Sequence, residues 1–118
     1  MIQVTIHHDE NRHVSAFEYS GHAEYDESGK DLVCAGASTI AIGTVNAIYA
    51  LLQIQPEVEQ AAEGGGYLKV ALPSDLEPEV DAKLQLIVQV MTAQVYSMVQ
   101  NYGQYIQINY NQVGGGTR

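Results

Sequence analysis

The sequence predicts an α+β domain of order ββαββαβ, a mainly antiparallel sheet packed against two helices. Three observations predict it. Apolar and polar residues alternate with a period of two in several short segments. Two long segments instead repeat apolar residues at helical spacing. Stretches rich in glycine, proline and acidic residues separate them.

Ile2 to His7 alternates, with Ile2, Val4 and Ile6 on one face and Gln3, Thr5 and His7 on the other. That is a half-buried strand. Asp9-Glu10-Asn11-Arg12 reads as a polar turn, and Val14 to Tyr19 as the returning strand, with Val14, Ala16 and Glu18 sharing a face. Ser20 to Asp31 has neither period and is charged and bounded by glycines. A connection of this length in a small domain is commonly a lid or binding loop.

A helix is expected from Cys34 to about Gln53, its stripe running through Ala37, Ile40, Ala41, Val45, Ile48, Leu51 and Leu52. Gly43 weakens it locally, and Pro56 marks its exit. Val58 to Ala62 and Tyr67 to Leu72 form a hairpin about the glycines at 64–66. Ser74 or Asp75 is the expected N-cap of a second helix, from Pro78 to Asn101, with Val80, Leu84, Ile87, Val88, Met91, Val95, Met98 and Val99 as its stripe. Tyr105 to Tyr110 is the last strand. The domain is expected over 1–113, with 114–118 as a loose tail.

Bulk properties narrow the function. The chain has 118 residues, enough for one core. Five basic residues against 14 acidic give a net charge of −9. That argues against direct nucleic-acid binding, which needs Lys and Arg to neutralise phosphate, and suits a basic protein partner. No continuous apolar run has the length of a membrane span, and the start lacks the pattern of a secretory signal. No membrane is therefore expected, and a cytoplasmic location is. A single cysteine, Cys34, cannot close an internal disulfide and is far from a zinc-ligand set. By itself such a cysteine reads as a small buried apolar residue. His7 and His8 are strand neighbours facing opposite sides, so no metal site is expected, and no cofactor.

Cys34 is nevertheless placed where chemistry is possible. A thiol at a helix start meets free N–H groups and the positive end of the helix dipole, which favour thiolate. His22 lies on the loop leading into that helix and could act as base to the thiol and then as acid to a leaving amine. The N–H groups of the first turn could receive a developing oxyanion.

Gly21-His22-Ala23, followed by Gly29-Lys30-Asp31-Leu32-Val33-Cys34-Ala35-Gly36-Ala37-Ser38, resembles the split signature of the ribosomal-processing cysteine protease family, Prp. The likeness continues through both helices, the glycine-rich hairpin and the last strand. It implies Cys34 as nucleophile and His22 as base. Asp31 matches an acidic position that either orients the histidine or serves as a helix-start carboxylate. Ser38, one turn after Cys34, either hydrogen-bonds in the site or satisfies the helix surface. Gly21 and Gly29 match hinge-like loop positions. Gly36 and Ala37 stand where relatives often carry Ala and Val. The resemblance further implies a substrate, the N-terminal extension of a basic large-subunit ribosomal protein, and a homodimer. Other readings of the chain are a ribosome-associated binding or assembly factor without peptidase activity and a thiol redox sensor. The first has no need of the Cys34/His22 pair, and the second lacks a resolving cysteine.

Overall fold

The computed structural model describes residues 1–21, 28–61 and 66–112. The elements are β1 (Ile2–His8), β2 (Val14–Ser20), α1 (Ser28–Leu52), β3 (Glu57–Gln60), β4 (Tyr67–Ala71), α2 (Pro78–Tyr102) and β5 (Ile106–Gln112). The expected order ββαββαβ is therefore the observed one. The five strands form one sheet in the order β3-β4-β2-β1-β5. All neighbours are antiparallel except β1 and β5, which run parallel. A parallel pair needs a long crossover, and the chain after β4 provides it through α2.

The turn between β1 and β2 is built on Asp9. Its carboxylate accepts from the backbone N–H groups of Asn11 (2.8 Å) and His13 (3.0 Å). Arg12 takes a left-handed φ of 69° to close the turn. Past it, the pairing departs from simple alternation. His7 pairs with Ala16 but His8 with Val14, so Ser15 is an extra residue in β2. One inserted residue exchanges the faces of everything on one side of it. The core residues of β2 are consequently Val14, Phe17 and Tyr19, and Glu18 turns to the opposite face beside Thr5 and Lys69. This corrects the expectation that Val14, Ala16 and Glu18 share a face.

The core is one cluster. Ile2, Val4, Ile6, Phe17, Tyr19, Val70 and Ile106 of the sheet meet Val33, Ala37 and Ala41 of α1 and Val88, Met91 and Val95 of α2. Burying side chains of this size contributes about 1.5–3 kcal/mol each. Both helices thus cover one face. The other face carries Gln3, Thr5, His7, Glu18, Lys69, Asn109 and Asn111, tied by Asn109 to Gln3 (2.8 Å), Asn111 to His7 (3.0 Å) and His7 to Glu18 (2.5 Å). Gln85 of α2 reaches the start of β2, accepting from the Val14 N–H (2.8 Å) and donating to its carbonyl (3.0 Å).

The start of α1 and the cap of α2 differ from expectation, while α2 begins at Pro78 as expected. α1 begins at Ser28, not at Cys34. Its buried stripe starts one turn earlier than Ala37, at fully buried Val33, and packing of that residue draws the preceding segment into the helix. Gly29 and Asp31 accordingly lie in its first turn. At the other end Leu51 is 69% exposed and does not belong to the stripe. α2 is preceded by Glu77, extended at φ −62°, ψ 148°, with no side-chain cap. Neither Ser74 nor Asp75 is the N-cap. Pro78 occupies the first helical position, where its missing N–H costs nothing, and it holds Glu77 extended.

Leu32–Leu52 is long and apolar enough to cross a membrane by length and composition alone. The sequence expectation overlooked this because polar Ser38, Thr39, Thr44 and Asn46 interrupt the run. In the fold this segment is a one-sided helix that carries Ala37, Ala41 and Ile48 into the interior and leaves Leu32, Ile42, Tyr49 and Leu51 exposed. The last stretch, 113–118, including the expected tail, lies outside the described residues.

Candidate active site

A cavity of about 320 Å³ opens between the first half of α1 and the adjoining ends of β2 and β4. From α1 it is lined by Cys34, Ala37, Ser38, Ala41 and Ile42, and from the strands and their ends by Tyr19, Ser20, Gly21, Gly66, Tyr67 and Leu68, with Gln60 of β3 at its rim. It is the space the short side chains of α1 leave unfilled.

Cys34 is half-buried and carries a free thiol. It projects from the interior of α1, beyond its first turn. That alters one sequence expectation. Unpaired N–H groups belong to the first four residues of a helix, here 28–31, so the thiol does not sit at the frayed end, where it was expected to meet them. Ser38 lines the same cavity one turn further on and is exposed. Asp31 lies on α1 within the preceding turn. His22 falls in 22–27, outside the described residues.

The chain just before His22 is closely defined. Gly21 has a φ of 97°, and its N–H donates to the Gly66 carbonyl at 2.9 Å. A Cβ there would lie 2.2 Å from the Met1 carbonyl oxygen. No side chain fits, and only glycine reaches this conformation freely. Gly66, at φ 84°, completes the pair. The strand end carrying the chain towards His22 is thus held against β4 and the first residue. Gly29, expected with Gly21 as a loop hinge, lies instead in the helix.

Among the cavity residues that the sequence did not single out are Tyr19, Gln60 and Tyr67. Each comes from a different strand, and only the sheet order brings them beside α1. Tyr19 is 7% exposed, and its buried hydroxyl has no hydrogen-bond partner among the described residues. Burial pushes its phenol well above the ordinary 10.0. The Tyr67 phenol is also raised, by partial desolvation, then by the negative charges of Glu18 and Glu59 and a hydrogen bond with Glu18. The cavity therefore has a largely apolar lining with a thiol on one wall, and the carboxylates beside Tyr67 belong to the opposite face of the sheet.

The remaining histidines serve other contacts. His7 bonds Glu18, His13 pairs with Asp81 at 2.8 Å, and His8 lies 6.2 Å from the Tyr110 ring. Among the described residues no group of three or more His, Cys, Asp or Glu side chains is placed to hold a metal.

Comparison with known proteins bears on this thiol. The family model described as Cysteine protease Prp matches residues 1–107. The ribosomal processing cysteine protease Prp of Bacillus subtilis (strain 168) is 34% identical over 111 residues, covering 94% of this chain and 98% of that protein. The crystal structure of an essential ribosomal processing protease Prp from S. aureus with a substrate peptide matches with a TM-score of 0.79 at 31% identity, covering 94% of this chain and 100% of that one. A second S. aureus structure, with a covalently linked product peptide, gives a TM-score of 0.79 at 32% identity, again covering 94% and 100%.

Proposed function

Because this chain belongs to the Prp family of cysteine proteases, we propose that it removes the N-terminal extension of a bacterial large-subunit ribosomal protein, with Cys34 as nucleophile and His22 as base. Its relatives carry ribosomal processing in their names. The observation that carries the residue assignment is the free, half-buried Cys34 thiol on the wall of a cavity of peptide-side-chain size.

In this reading the substrate lies across the cavity with its scissile carbonyl over Cys34. His22 takes the thiol proton, and the thiolate adds to the carbonyl carbon. The tetrahedral intermediate collapses as His22 returns the proton to the departing amine, leaving a thioester on Cys34. Water, deprotonated by the same imidazole, then adds to the thioester, and the freed thiolate recovers the proton. Asp31 and Ser38 are supporting residues in this scheme, Ser38 because it shares the cavity wall with Cys34. Gly21 and Gly29 bracket the segment that bears the base. The acidic chain meets a basic substrate, acts as a homodimer in the cytoplasm, and needs neither metal nor organic cofactor for a thiol mechanism.

The test is incubation with the unprocessed ribosomal protein followed by intact-mass measurement. One cut near the N-terminus is expected with the wild type and none with Cys34→Ala or Cys34→Ser, both folding normally. A Cys34→Ala protein that still cuts at the wild-type rate would end the reading.

A further inference from the structure

β3 is the outer strand of the sheet at the end nearer the cavity, and all four of its residues are exposed. The phase of its pairing can be worked out. Ala61 N–H donates to the Tyr67 carbonyl at 3.2 Å. This pair continues the register that matches Gln60 with Leu68, Glu59 with Lys69, Val58 with Val70 and Glu57 with Ala71. Bonded and non-bonded pairs alternate along an antiparallel ladder. Glu57, Glu59 and Ala61 therefore bond to β4. The N–H and C=O groups of Val58 and Gln60 point outward, away from the sheet.

Those outward groups continue the active-site cavity. Gln60 is part of its lining, and Val58, 46% exposed, is two residues further along the same edge. The edge from Gln60 to Glu57 extends about 10 Å from the cavity rim, at roughly 3.3 Å per residue. The adjoining face is acidic. Glu57 and Glu59 alternate onto the same side as Glu18, with Lys69 between Glu59 and Glu18 as the one cation of the group.

We propose that β3 is a second binding surface, on which an extended, basic segment of the substrate polypeptide flanking the scissile bond adds as a sixth strand through the Val58 and Gln60 backbone. The inference rests on the protease reading above. An open edge supplies main-chain hydrogen bonds without regard to sequence. The glutamates add a preference for Lys and Arg, and the cavity takes the apolar residue beside the cut. The surface would explain how a small cavity selects a particular polypeptide, since affinity is spread over a strand length beyond the thiol.

The experiment compares three peptides with one cleavage site: short, extended by a basic flank, and extended by a neutral flank. Val58→Pro removes the outward N–H, and proline is tolerated at edge positions whose N–H faces away from the sheet. Its kcat/KM ratio for basic-flank over short peptide should fall roughly three- to tenfold from the wild-type ratio, the loss of one to a few net hydrogen bonds. Glu57→Gln/Glu59→Gln, which leaves the backbone untouched, should shrink the advantage of basic over neutral flank. It decides the matter even if Val58→Pro folds poorly. Wild-type ratios retained by a folded Val58→Pro, or an undiminished basic advantage in the double variant, would overturn the edge-pairing proposal. A wild-type enzyme that cuts none of the peptides would instead count against the protease reading.

Discussion

Tyr19→Phe is expected to stabilise the free protein, against the usual direction for a core substitution. The side chain is 7% exposed and packs edge-on to Phe17 at a centroid distance of 6.4 Å. Its ring is well placed, but its hydroxyl is buried without a partner among the described residues. Burying such a group costs about 1–3 kcal/mol relative to water. Phenylalanine keeps the ring and removes the cost, leaving a void smaller than a methyl group. A net gain of about 1 kcal/mol follows, equivalent to a rise in Tm of roughly 3–6 °C for a domain of this size. The pH dependence gives an independent check. Burial raises the folded-state phenol above its ordinary 10.0, so the unfolded chain releases this proton first. The native state of the wild type therefore loses stability as pH climbs from about 10 towards the folded value, by up to about 1.4 kcal/mol per unit. Tyr19→Phe lacks that loss, and the gap between the two proteins should widen above pH 10 and stay constant below it. Urea unfolding at pH 7, 9, 10 and 11 measures both effects. A lower urea midpoint for Tyr19→Phe at pH 7, with no widening above pH 10, would refute the reasoning and mean that the hydroxyl is satisfied in solution.

His22→Ala should lower kcat on the precursor by roughly 10²–10⁴-fold, the usual effect of losing a general base, and stopped assays giving less than tenfold would remove it from the chemistry. Gly21→Ala should destabilise by about 2 kcal/mol or more, because a left-handed φ and a Cβ 2.2 Å from the Met1 carbonyl must both be accommodated; an unchanged urea midpoint would contradict the geometry. Gly43→Ala should raise stability by about 0.8–1 kcal/mol, since the position is helical, exposed and has nothing within 4 Å of a new Cβ. Thermal melts at two scan rates would detect it, and a fall in Tm would show that Gly43 serves a contact the free chain does not display.

How legible the fold was depends on whether a feature is local. The alternation of β1 and the stripe of α2 can be read directly, because one face of each is buried and periodicity records it. The faces of β2 could not, since the inserted Ser15 is a property of the pairing with β1. The start of α1 was misjudged for a related reason. Gly29 and charged Lys30 and Asp31 suggest a loop, yet packing of Val33 outweighs their local preference. The parallel placement of β5 beside β1 follows from the route of α2 over the sheet, which no window of residues contains. Within the site, Cys34, Ser38 and Gly21 were legible because they are close in sequence and part of one motif. Tyr19, Gln60 and Tyr67 were not, because they converge only through the order β3-β4-β2.

The cavity has a simple origin in side-chain size along α1. In the second half of the helix, Val45, Ile48 and Leu52 are large side chains that are buried or half-buried. In the first half Val33 fills the core, while Cys34, Ala37, Ser38 and Ala41 line the cavity, related by steps of three, four and seven residues and so on one face. None of these side chains extends beyond its second heavy atom. The backbone of α1 can stay at its normal distance from the sheet while a peptide side chain fits in the space left over. Gly36 acts on a different side, where a Cβ would meet the Met98 Cε at 3.1 Å. It lets α2 approach α1 closely and fixes the wall behind the thiol. The residues that look least specific in the sequence, alanine and glycine, therefore set the position of the thiol and the volume in front of it. Replacing Ala41 by leucine would improve the helix stripe by hydropathy and fill the substrate's place. In this half of α1, packing density and function act in opposite directions, and the small residues are where function prevails.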